Sequence, residues 1–297
     1  MKNSTLKWMY QPDNGVYAEL ASITSMNEFW ECEWQLRYVF EHADQNSLCN
    51  EQLLFRGDSS SRSLGDKRWV VSAAKLRRVF DLCRQEKLMD CSDYALYLLM
   101  RHAEVKYTAL LDWTLSPEIA VWFAIHDRNG KLKNQANDDA VLWVFRPVSS
   151  DEAKRSCADG ELFPEDGGSK SVVFFPYEDP REFEGQIGYV SYQRPTMQFA
   201  AEMRLRFGQP DRNEDRHLLP MDEDVNFKGR LLKIGIEGDF EAIDAELTGW
   251  LRNEQHWKEG GFREFLGLDF SDNDYVIPRA LREKLNAEFE NEVGQCR

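Results

Sequence analysis

Paired cysteines are missing from this chain. Its six cysteines (Cys32, Cys49, Cys83, Cys91, Cys157 and Cys296) are scattered, and no two stand in a CxxC spacing. That excludes zinc-ribbon and dithiol-redox signatures and predicts a reduced, cytoplasmic protein with no structural metal. Long apolar runs are also absent. Nothing approaches the roughly 18 consecutive apolar residues of a membrane helix, so no membrane partner is expected. The polar start, MKNSTLKWMYQPDNG, has no apolar h-region, and no secretory leader is expected. Positive charge is in deficit: 37 Lys and Arg stand against 52 Asp and Glu, for a net charge of −15. Such a chain repels phosphate backbones at long range, which excludes broad, charge-driven nucleic-acid binding. GxGxxG, P-loop, HExxH and GxSxG are all missing, and with them the usual dehydrogenase, kinase, zinc-peptidase and hydrolase readings.

What is present suffices for a core. The 297 residues are 42% hydrophobic and 12% aromatic, a globular composition. Near-helical spacing of Leu20, Phe29, Trp30, Trp34, Val39 and Phe40 predicts a helix over 16–43. QLLFR (52–56) predicts a short strand stopping at Gly57-Asp58, and the serine-rich 59–66 a loop. Two helices fit 70–103. A strand is expected at 108–111, then a helix over 117–126 with Pro117 in its first turn. DAVLWVF (139–145), VVFFP (172–176) and RLLKIGI (230–236) read as strands, with further short strands around QIGYVSY, RPTMQF and MRLRF. The polar 209–226 reads as a loop or flap, and 239–255 and 278–293 as helical. With no internal repeat and no low-complexity linker, one α+β domain over 1–297 is the economical reading, with a mixed sheet of short strands and helices at both ends.

Two short stretches carry chemistry. In FRGD (55–58), Arg56 ends an apolar strand, from where its guanidinium fork can reach phosphate, and Gly57 lets backbone come close to a ligand. The competing reading is an ion pair of Arg56 with Asp58 or a distant carboxylate. In TALLDWTLSPEIAVWFA (108–124), a carboxylate, an indole and a hydroxyl stand together between a strand and a helix. Asp112 suits a turn brace that accepts backbone amides, Trp113 suits core, and Thr114 is best placed to line a cleft. His102, at a helix end among apolar residues, is more often structural. Gln198 and Glu202 follow the Pro195 break in RPTMQFAAE. A basic segment, with Lys67, Arg68, Lys75, Arg77, Arg78, Arg84 and Lys87, runs against the overall charge.

Taken together, LLFRG (53–57), the LLDWT…P…A…FA block and RPTMQ (194–198) resemble the FRG domain, over roughly residues 50–205. That family is named for its Phe-Arg-Gly and typically carries T-R-L-L-D-W-T and a later R-I-x-x-Q. This chain departs from the pattern at Ala109, where the family has arginine, and at Arg101-His102, where Gln-His-x-Gly is usual. A looser similarity runs to ADP-ribosyltransferases. It implies an ADP-ribosyltransferase-like core with flanking helices, and NAD as the substrate. Carried over residue by residue, Arg56 matches the motif that holds the dinucleotide, Thr114 the one that shapes the nicotinamide pocket, and Gln198 or Glu202 the third, which contacts the nicotinamide ribose. Gly57, His102, Asp112 and Trp113 then border the cofactor, and no metal is implied.

The resemblance implies a toxin or phage-defence effector, modifying RNA, DNA or protein in the cytoplasm and held by a cognate antitoxin. The alternative is a non-catalytic FRG module that binds a nucleotide or a partner protein. A nuclease ranks lower, because no clustered metal-ligand set is visible.

Overall fold

The fold is that of a computed structural model, which describes residues 15–43, 53–58, 64, 81, 110–127, 130–135, 139–146, 172–174, 201–204, 221–253, 283 and 286–287. Among these the chain is α+β, as expected. Strand β1 (Ala18–Ile23) is followed by helices α1 (Met26–Cys32) and α2 (Trp34–Ala43), then β2 (Leu54–Asp58), β3 (Leu110–Trp113) and helix α3 (Pro117–Ile125). Strands β4 (Ala140–Phe145), β5 (Val172–Phe174), β6 (Ala201–Arg204) and β7 (Leu231–Ile236) precede helix α4 (Phe240–Asn253).

The strands form two sheets. The larger has four strands in the order β1-β7-β4-β2, and the smaller three in the order β3-β6-β5. Only the β1–β7 pairing is parallel; the others among the described residues are antiparallel. Among the described residues a backbone bridge ties the sheets, where Phe55 N donates to Thr114 O (2.8 Å) and Thr114 N donates to Phe55 O (2.9 Å).

β4 lies between β2 and β7 and is buried along its whole length, which explains its unbroken apolar sequence AVLWVF. Its alternate residues feed two cores. Ala140, Leu142 and Val144 face the helices with Phe55, Leu232, Ile234 and Ile236. Val141, Trp143 and Phe145 face the other way with Leu54, Leu231, Trp113 and Phe227. α3 is buried on nearly every side, as a helix without a polar stripe must be. Ser116 caps it, its Oγ accepting from Ile119 N at 3.2 Å, and Pro117 occupies the first turn, where its missing N–H costs nothing.

The region 16–43 differs from the expected single helix. Ala18–Ile23 is a strand, and Ser25 caps a separate helix by accepting from Glu28 N at 3.1 Å. Ala18, Leu20 and Ile23 are buried while Glu19 and Ala21 are exposed, an alternation that pairing with β7 rewards over helix propensity. β2 also runs on through Gly57 and Asp58, where a stop was expected, because both remain paired with β4. In 209–226, residues 221–223 and 225–227 are short 3-10 turns. The helices expected over 70–103 and 278–293, the loop 59–66 and the strands around QIGYVSY and RPTMQF lie wholly or almost wholly outside the described residues.

Candidate functional site

Period-two alternation divides β2. Phe55 and Gly57 turn to α3. A β-carbon on Gly57 would sit 1.8 Å from Ala120 O and 2.6 Å from Ala124 N, so glycine is what lets strand and helix backbones touch. The close approach made by Gly57 is therefore to a helix. Arg56 turns to the opposite side, towards β3. Its Nη1 donates to the Asp112 carbonyl at 2.9 Å and lies 4.0 Å from the Asp112 carboxylate; its Nη2 pairs with Asp58 Oδ2 at 3.2 Å. The ion-pair reading of FRGD is thus realised, with Asp58 as the near partner. Arg56 is not used up by these contacts. Its side chain keeps 17% exposure, and its Nε is buried without an acceptor.

Two more buried donors lack acceptors, Trp113 Nε1 and Trp143 Nε1. Trp143 is the register partner of Arg56 across β2 and β4. Registers extend this row to Lys233 on β7 and Glu19 on β1. Lys233 Nζ pairs with Glu19 Oε1 at 2.9 Å and stands 5.9 Å from the Trp143 ring and 5.7 Å from that of Tyr17. One row of the sheet therefore carries two cations with an indole between them. Sequence reasoning passed over Lys233 and Trp143. The signal was a single lysine in the otherwise apolar LLKIGI.

Asp112 sits in the middle of β3, opposite Glu202 on β6. Three sequence-predicted positions, Arg56, Asp112 and Glu202, thus belong to adjacent strands at the junction of the two sheets. Thr114 is also there but buried, at 4% exposure, and its Oγ1 accepts from Ser116 N at 3.2 Å, inside the turn that leads into α3. Trp113 is core, 1% exposed and 5.5 Å from Phe145 between ring centroids. His102 and Gln198 lie outside the described residues.

A separate polar pair closes the other end of α3. His126 stacks on Trp122 at 4.3 Å, its Nδ1 is 2.9 Å from Trp122 O, and its Nε2 is 3.4 Å from Asp244 Oδ1 on α4. Burial holds the His126 pKa below its ordinary value and pushes that of Asp244 up. Both shifts favour the uncharged forms. Among the described residues no group of His, Cys, Asp and Glu could hold a metal ion, and no helix is long and apolar enough to cross a membrane.

Fold and site together define a two-sheet α+β chain with an arginine at the seam. Residues 51–133 match the family model of the FRG domain. The matched segment carries Arg56, Gly57, His102, Asp112, Trp113 and Thr114 and ends before Gln198 and Glu202. No curated protein and no solved structure matched the chain.

Proposed function

We propose that this chain is an NAD-consuming, ADP-ribosyltransferase-like toxin or phage-defence effector that modifies a cytoplasmic macromolecule and is restrained by a cognate antitoxin. The observation that carries the reading is the seam itself. Arg56 reaches across to the Asp112 carbonyl, and the register partner of Asp112 is Glu202. A dinucleotide binder needs donors for phosphate, and the part-exposed Arg56 guanidinium supplies them at the seam, where its Nε has no acceptor, a cost of about 1–3 kcal/mol.

In the proposed reaction the bond between the ribose C1′ and the nicotinamide nitrogen breaks, and its electron pair leaves with nicotinamide, which becomes neutral. A nitrogen or oxygen lone pair of the acceptor bonds to C1′, and the acceptor proton passes to water or a base. Arg56 holds the diphosphate in this scheme, and Glu202 or Gln198 steadies the cationic ribose as charge develops. The basic segment around 67–87 would suit a nucleic-acid acceptor. The rival reading is a module that binds a nucleotide or a partner protein without consuming NAD. It draws on the two carboxylates beside Arg56, which leave the seam with no net positive charge from these three groups.

Purified protein incubated with labelled NAD and cell extract separates the two. Transfer of label to the nucleic-acid or protein fraction, lost in Glu202→Ala or Gln198→Ala, supports the transferase. Tight NAD binding with no release of nicotinamide would establish the binding module instead.

A further inference from the structure

The side of the larger sheet away from Arg56 carries a second feature. Between α1, α3 and α4 lies a cavity of about 440 Å³, within the ~300–1,000 Å³ typical of small-ligand pockets. Trp30 and Trp250 supply aromatic walls, Glu118 and Glu246 supply carboxylates, and Asn27 and Gly249 complete the part that matters here.

Both carboxylates are held by neutral donors. Glu118, only 7% exposed, accepts from Trp30 Nε1 at 2.8 Å and from Ser116 Oγ at 2.7 Å. Glu246 accepts from the Met26 and Asn27 backbone amides, and from Asn27 Nδ2 at 3.0 Å. Among the described residues no lysine or arginine lines the cavity. Two negative groups and two indoles thus face one space with no counter-charge among the described residues, and for the buried Glu118 that is costly.

Gly249 is the second, independent observation. It lies inside α4, where glycine costs roughly 1 kcal/mol relative to alanine. Its φ is not in the left-handed region, and a β-carbon there would meet nothing within 4 Å. Neither backbone conformation nor crowding demands glycine. What a larger side chain would remove is cavity volume.

We propose that this cavity binds an organic cation, a guanidinium or alkylammonium group, whose charge is met by Glu118 and Glu246 and whose flat or methylene face lies on the tryptophans. Phosphate-bearing ligands are disfavoured by the same two carboxylates, so this site is chemically distinct from the arginine seam. The cation can come from a partner protein's arginine or from a free polyamine.

The test uses the full chain, with N-acetyl-arginine amide and spermidine titrated separately by calorimetry and tryptophan fluorescence. The citrulline analogue serves as the neutral control. One probe, or both, should saturate a single site, and citrulline should not. Preference for the arginine amide identifies a partner side chain; preference for spermidine identifies a free polyamine. Gly249→Leu, which fills the cavity and favours the helix, should weaken binding by at least about tenfold with unchanged circular dichroism. Glu118→Gln should do the same by removing charge alone. Equal binding by Gly249→Leu and the parent would show that the −15 surface, not the cavity, attracts the cation, and would overturn the proposal. So would the absence of saturation by either probe.

Discussion

On one face of β2, Phe55 and Gly57 press against α3, and the strand and helix backbones leave no room for a single methyl group. On the other face of the same strand, Arg56 reaches Asp58 and Asp112 through contacts of 3.2 and 4.0 Å and keeps one N–H free of any acceptor. The first face is fixed by volume, the second by charge and direction. Neighbouring residues of one tripeptide therefore answer to different physics. Substitutions on the two faces should fail in different ways: loss of fold on one, loss of ligand on the other.

Gly57→Ala gives the largest expected effect. The new methyl group collides with helix backbone, which cannot swing aside as a side chain would, so the cost should reach or exceed the ~3 kcal/mol upper range of ordinary overpacking. Urea denaturation reads it directly. An unchanged midpoint would mean that β2 and α3 are not in contact as described. Arg56→Lys tests the other face. It keeps the charge and loses the fork, so stability should change by less than about 1 kcal/mol, while NAD affinity falls about tenfold. Calorimetry with unaltered NAD binding would remove Arg56 from the site.

Asp112→Asn falls between the faces. The backbone carbonyl that receives Arg56 survives the change, while the 4.0 Å ion pair of partly exposed groups is lost. A destabilisation of about 1 kcal/mol is expected. An intact melting temperature with abolished NAD turnover would instead put Asp112 in the chemistry.

The smallest effect concerns His126, which sits at the end of α3 and belongs to the packed side. Burial lowers its pKa from 6.5, so the unfolded chain takes up a proton before the folded one does. The stability it contributes is fully present above about pH 6.5 and is lost as pH falls through the lower, folded value. Asp244 acts in the opposite sense: its raised pKa returns stability as pH falls through that value towards 3.8. His126→Gln should flatten the loss between neutral pH and pH 5. A parent-like slope in the variant would assign the acid sensitivity to other groups.

Much of the packed side was legible in the sequence. Ser116-Pro117 announces α3, and AVLWVF and LLKIGI can hardly be anything but buried strands. β1 was not, because its alternation is short and its partner lies far along the chain, so the local helix signals run through it. On the charged side Arg56 and Asp112 stood out by composition, and their meeting was not predictable without the register of two sheets. Lys233 and Glu118 were invisible for the same reason. Each becomes meaningful only beside residues that the chain supplies from elsewhere, Trp143 and Glu19 for one, Trp30 for the other.

The parallel pairing of β1 with β7 also sets an order of assembly. Glu19 and Lys233, which close that edge of the sheet, are 214 residues apart, and β7 lies between β1 and β4. At ribosomal rates of about 5–20 residues per second, β1 leaves the ribosome roughly 10–40 s before its only described neighbour exists. Until then β4 is an open edge and the Arg56–Trp143–Lys233 row is incomplete. A chain stopped after β6 already holds Arg56, Asp112 and Glu202 but lacks the strand that pairs with both β1 and β4, so the larger sheet, and with it the Arg56–Trp143–Lys233 row, is completed only once synthesis has passed residue 236.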